Sequence, residues 1–311
     1  MVNKIHTCII LLIISFAAIG NPIKIKGIVK DIKQATPISF VSIAIVETEK
    51  GTTSNNDGFF ELKIDTSDLN FTLHFSCLGF DDKKVNISEL VTDGINEISL
   101  HSISYSIPEV IVTNKPKKKK KLEINKLKKS NINGLLTCNN LPIIYARYFP
   151  YEEKYENFNK ISQLNIGFSG DQIRRKSKVR LRLLTFDKQF NKPDKDILHE
   201  NLVVYVRNGI NKIDISKFNI QFPKDGIFVA VEWLIIEENA FEWVSYNKYH
   251  LKKRETLYGP ILGANYSQKS YTWRYWAGDW KKFNLEVPMF HPKIKVGSYY
   301  DSAISLTLTN Y

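Results

Sequence analysis

Cysteine is scarce in this sequence: three in 311 residues, one of them Cys8 inside an apolar N-terminal run. Long apolar stretches are also missing. The longest, CIILLIISFAAIG (8–20), has 13 residues, well short of the ~20 that a spanning helix needs. Helix-period segments are few. No Gly-x-Ser-x-Gly elbow, no Gly-Lys-Ser/Thr phosphate loop and no His-Glu-x-x-His pair occurs. These absences count against a serine hydrolase, a nucleotide-binding enzyme and a zinc protease.

The N-terminal run is instead expected to be a secretory signal peptide over 1–20, with Lys4 before the apolar stretch and Ala18-Ile19-Gly20 at its end. The exported chain then carries no transmembrane segment and keeps two cysteines. Export permits a Cys77–Cys138 disulfide, but Cys77 alternates in phase with Phe71, Leu73 and Phe75. That phase favours a free buried thiol.

The composition is 43% hydrophobic and 12% aromatic, enough for true cores. Phe, Tyr, Val, Ile and Thr dominate, so the fold is expected to be all-β, and the length suits two domains. The formal charge of +12 is concentrated: residues 115–129, KPKKKKKLEINKLKK, hold nine Lys and one Glu. This marks a lysine-rich linker over 114–130 rather than a basic groove. Nucleic acid is therefore not an expected partner. A polyanionic envelope surface, met through Lys117 to Lys121, is.

Upstream of the lysines, residues 21–113 read as one domain. Short strands follow at 23–29, 38–46, 58–64, 71–78, 84–88, 95–101 and 108–113, a spacing that predicts a small antiparallel sandwich. The stretch GTTSNNDGFFEL (51–62) could be an oxygen-rich ion loop or a turn. Only Asp57 and Glu61 are acidic in it, too few for an EF-hand. It reads as a β-hairpin, with Asn55 to Gly58 reversing the chain and Phe60 returning to the core.

The motifs here resemble those of the carboxypeptidase-like regulatory domain, a transthyretin-like Greek-key β-sandwich. Gly27, Val29 and Asp31 match its Gly-x-Val-x-Asp strand. Pro37, Ile38 and Phe40 match the start of the next, and Gly51, Thr52, Asp57, Gly58 and Phe60 the Gly-Thr…Asp-Gly-x-Phe stretch. The resemblance implies a non-catalytic module. Such domains often precede the plug of TonB-dependent outer-membrane receptors, and IPEVIVTNK (107–115) looks like the segment that follows them there. No plug or barrel is expected before Tyr311. The zinc pattern of the associated peptidases is also absent, since none of His74, His101, His199, His250 and His291 is followed three residues on by Glu. Neither a metal site nor a cofactor is expected.

Residues 131–311 read as a second, jelly-roll-like β-sandwich, with strands at 143–149, 160–168, 178–186, 201–207, 212–216, 226–236, 271–276, 283–287 and 303–308. Residues 122–137 are expected to hold one short helix. Two groups in this domain stand out. In YTWRYWAGDW (271–280), Tyr271, Trp273 and Tyr275 share one strand face, with Arg274 and Trp276 on the other. Tyr271, Trp273, Arg274 and Tyr275 form a candidate platform for a sugar ring or a peptide; the competing reading is that they fill a wide inter-sheet core. Glu232 is flanked by apolar residues in IFVAVEWLII (227–236), so it must be paired or neutral. Arg180 and Arg182, in phase in KVRLRLL, are its candidate partners in a structural ion pair, the alternative being a ligand-binding or catalytic acid.

The expected function is a non-catalytic, exported cell-envelope protein, in the periplasm or at the outer-membrane surface of a Gram-negative cell. It would serve as a binding or adhesion module for an envelope glycan or an outer-membrane protein. The alternatives are a structural or assembly factor and an unrecognised hydrolase.

Overall fold

The computed structural model of the chain describes residues 22–103, 120–138, 141–169, 176–246, 251–276, 278–288 and 296–310. The expected signal peptide, the strand expected at 108–113 and most of the lysine run lie outside these residues.

The first sandwich contains β1 (Ile23–Asp31), β2 (Ser42–Ile45), β3 (Gly51–Thr53), β4 (Phe59–Ile64), β5 (Thr72–Ser76), β6 (Lys83–Asn86) and β7 (Ile95–Leu100). One sheet has the order β4-β1-β7 and the other β3-β2-β5-β6. Strand alternation builds the core between them. Ile25 and Val29 of β1, Phe60, Leu62 and Ile64 of β4, Ile43 of β2 and Phe75 of β5 all point inward and are buried. Cys77 lies in the same core as a free thiol.

Three expectations for this domain are corrected. The sandwich is not wholly antiparallel, because β1 and β7 run parallel. The expected strand 38–46 shortens to β2, since Phe40 adopts φ 60°, which breaks extended pairing there. The stretch 51–62 is a turn but not a hairpin: β3 pairs with β2 while β4 pairs with β1, so the chain crosses from one sheet to the other. Within that turn Asn55 Oδ1 accepts the Asp57 and Phe59 amides at 2.9 and 3.0 Å. Gly58 takes φ 73°, where a Cβ would lie 2.6 Å from Val29 O.

The second sandwich begins with β8 (Lys121–Ile124) and β9 (Gly134–Cys138), followed by β10 (Ile144–Phe149), β11 (Lys160–Phe168), β12 (Ser177–Asp187) and β13 (Lys192–Asp196). Next come β14 (Val203–Val206), β15 (Gly209–Asp214), β16 (Ile227–Trp233), β17 (Ala240–Tyr246) and β18 (Lys252–Ser267). The last are β19 (Thr272–Trp276), β20 (Asp279–Lys282), β21 (Tyr299–Ser302) and β22 (Ile304–Thr309). A seven-stranded sheet is ordered β13-β12-β16-β10-β19-β20, with β14 beside β12. An eight-stranded sheet is ordered β17-β18-β11-β22-β8, with β15, β21 and β9 paired at its sides. Between the sheets lie Val179, Leu181 and Leu183, with Val229, Val231 and Trp233 on the neighbouring strand. The Trp233 indole N–H crosses to the other sheet and donates to Pro260 O at 2.7 Å.

The lysine-rich stretch does not remain a linker to residue 130. β8 pairs with β22 from Lys121 to Ile124, and Leu122 and Ile124 cover the second core. In place of the helix expected within 122–137 there is β8, a 3₁₀ turn at Lys129–Asn131 and β9. The segment 283–287 contributes only an isolated bridge at Glu286.

Candidate binding face and interdomain seam

The seven-stranded sheet has a second face, away from the core, and strand register fixes what it displays. One row across β12, β16, β10, β19 and β20 reads Arg180, Glu232, Ile144, Tyr275, Trp280. The next reads Arg182, Ala230, Ala146, Trp273, Lys282. Below these stand Leu184, Phe228 and Tyr148. The buried alanines form a floor on which the aromatic rings lie. Phe228 and Trp273 meet edge to face at 6.2 Å and Tyr275 and Trp280 at 5.3 Å, while the Tyr148 and Phe228 rings are tilted at 4.9 Å.

Trp273 and Tyr275 are thus half-buried on an outer face and do not fill the space between the sheets. Arg274 is on the opposite side of β19, its guanidinium 5.2 Å from the Trp276 ring and 6.0 Å from Phe283. Tyr271 precedes β19 and packs against cations, with Arg147 at 5.5 Å and Lys269 at 5.0 Å from its ring. The four candidate residues therefore separate: Trp273 and Tyr275 join Trp280 and Tyr148, while Arg274 and Tyr271 do not.

At the other end of the same face lies the buried charge. Glu232 and Arg180 are 2% and 1% exposed. Arg180 Nη1 donates to Glu232 Oε1 at 2.6 Å, and Arg182 Nη1 approaches Oε2 at 3.4 Å. Arg182 is held in turn by Asp196, with its Nε 2.9 Å from Oδ1. Burial by itself would raise the Glu232 carboxyl, but Arg180, Arg182 and the Ser42 hydroxyl hold it below the ordinary carboxylate range.

Ser42 belongs to the first sandwich, and it is not alone. Its hydroxyl donates to Glu232 Oε1, and Arg180 Nη2 donates to Phe40 O. Asn201 Nδ2 reaches Ser39 O at 3.4 Å, while Ile235 N donates to Thr53 Oγ1 at 2.8 Å. The Phe40 ring is buried with Leu234 and Ile236. The seam continues into a cleft lined by Phe40, Leu78, Phe80, His199 and Asn201. His74 and Asp82 of the first sandwich pair at 2.9 Å, with the His74 side chain 14% exposed. Burial works to raise the Asp82 carboxyl, yet His74 and Ser76 bring it below its usual range.

The ion-pair residues announced themselves as charges in phase within apolar strands. Their partners Phe40, Ser42, Asn201 and Asp196 did not, because each comes from a different element. A faint signal existed in Ser42, a hydroxyl between Val41 and Ile43 in the outward phase of β2. Among the described residues no group of three or more His, Cys, Asp or Glu could hold a metal ion.

The turn, the glycines and the core phase of the first sandwich lead to one comparison. Residues 25–112 match the CarboxypepD_reg-like domain family. The regulatory-like match covers the first sandwich and leaves the second unassigned. It supports a non-catalytic β-sandwich module. No curated protein matches the chain.

Proposed function

We propose that this protein is a non-catalytic, exported envelope binding module that takes a sugar ring or an extended peptide on the outer face of its second sandwich. One observation carries the reading: Trp273, Tyr275, Trp280 and Tyr148 gather, partly buried, on the sheet face turned away from the core between the sheets. Aromatic rings set over a flat apolar floor offer the C–H face of a sugar a broad contact, with polar groups at the edge for direction. Glu232 is fully engaged by Arg180, Arg182 and Ser42, so it acts in this reading as a structural partner and not as an acid catalyst.

Export and an envelope location rest on the N-terminal apolar run and on the company such regulatory-like domains keep. Among the described residues no helix is long and apolar enough to cross a membrane.

A second reading, an assembly factor contacting outer-membrane proteins, draws support from β17 and the start of β18. These form a two-stranded ribbon with Tyr246 and Leu251 exposed. A glycan array run beside a pull-down from envelope extract separates the two. Saccharide binding without a protein partner supports the first reading. Capture of a defined outer-membrane protein without any saccharide signal overturns it in favour of the second.

A further inference from the structure

We propose that the seam between the two sandwiches is a clamp. The second sandwich closes on the carbonyl and ring of Phe40, whose left-handed backbone both sandwiches restrain, and the two sandwiches act as one rigid body.

Phe40 has φ 60°. For a bulky residue with a Cβ this left-handed region is an outlier, and such geometry persists only where the surroundings over-determine it. The first sandwich anchors the flanking backbone, with the Phe40 amide donating to Ser54 O at 3.2 Å, the Val41 amide to Ser54 Oγ at 2.8 Å and Ser39 Oγ to Asn56 O at 2.6 Å. The second engages the carbonyl and the ring. Arg180 Nη2 binds the Phe40 carbonyl, Leu234 and Ile236 enclose the ring, and the Lys178 ammonium stands 5.3 Å from its centre.

The dependence is mutual. Arg180 directs Nε to Asn201 Oδ1 at 2.7 Å, Nη1 to Glu232 and Ser42, and Nη2 to Phe40 O. Parting the sandwiches would strip this buried guanidinium of two partners and Glu232 of its hydroxyl donor. A buried charge that loses partners is strongly penalised, so the undocked arrangement is disfavoured from both sides. The clamp does not depend on which ligand the aromatic face takes.

The Ile235 amide reports on the clamp directly, because its acceptor, Thr53 Oγ1, belongs to the other sandwich. Hydrogen exchange is measured on the full chain. The native protein is expected to protect Ile235 about as well as amides inside either sandwich, such as Phe75 and Val229. Ser42→Asp sets a second carboxylate against Glu232 and is expected to speed Ile235 exchange about tenfold or more, leaving Val229 and Phe75 unchanged. Ser42→Ala, which removes only the hydroxyl, is expected to give a smaller increase in the same direction. It decides the matter should Ser42→Asp also expose Phe75. An unprotected Ile235 in the native chain, or Ile235 exchange unaltered by Ser42→Ala and Ser42→Asp alike, overturns the clamp.

Discussion

Glu232 shows how one carboxylate can be both costly and required. Desolvation penalises it, and only the convergence of Arg180, Arg182 and Ser42 makes its ionised form tolerable. Glu232→Gln is expected to destabilise the protein by about 3–5 kcal/mol in urea unfolding, since Arg180 then loses its counter-charge in a buried site. Replacing Glu232 and Arg180 together by apolar residues should recover part of that loss; the Phe40 carbonyl, left without its donor, limits the recovery. The same carboxyl sets an acid dependence. Its folded-state pKa lies below the unfolded value of about 4.3, so its contribution is present above that value and is lost as pH falls through the folded pKa. Asp82, also lowered by His74 and Ser76, adds to the trend. Melting temperatures taken from pH 7 down to pH 3 should therefore fall more steeply for the native chain than for Glu232→Gln. Parallel curves would show that Glu232 is not the group responsible.

At the scale of the element, the turn from Asn55 to Gly58 decides which sheet the following strand joins. Gly58 at φ 73° faces Val29 O, so Gly58→Ala must strain the backbone and displace β1. The expected cost exceeds about 1 kcal/mol in chemical denaturation; a neutral substitution would mean that the crossing tolerates other geometries. Much of this level was legible beforehand. Phe60, Leu62 and Ile64 alternate in sequence and in space, and β11 runs over Lys160–Phe168 as its pattern implied. What was illegible had physical causes. β18 opens on Lys252-Lys253-Arg254-Glu255 because there it pairs only with β17 in an exposed ribbon, and its register shifts between Tyr258 and Leu262, across Gly259 and Pro260. Exposed on both faces, such a strand has no alternation to read. β8 was hidden for a different reason: its Leu122 and Ile124 alternate onto the core but stand beside a run of lysines. At the candidate site the phase of Trp273 against Arg274 was readable. That Trp273 faces away from the core was not, because a period of two assigns opposite faces without saying which is buried.

For the whole molecule, charge and shape divide the work. Nine of the lysines cluster over 115–129, and only part of that run is tied into β8. Changing Lys117 to Lys121 to Ser is expected to weaken attachment to anionic vesicles markedly at low salt, with the melting temperature nearly unchanged, because adjacent like charges repel one another and bury no apolar surface. A large fall in melting temperature would show that these lysines hold the fold together. The aromatic face poses the sharper question, because β19 carries its own control. Trp273 lies on the outer face and Arg274, one residue on, lies on the other. The most direct test is to run native protein, Trp273→Ala and Arg274→Ala side by side on a glycan array at equal concentration. The account predicts a saccharide signal that Trp273→Ala loses and Arg274→Ala keeps. A signal that survives Trp273→Ala, or that disappears equally in both variants, would contradict it.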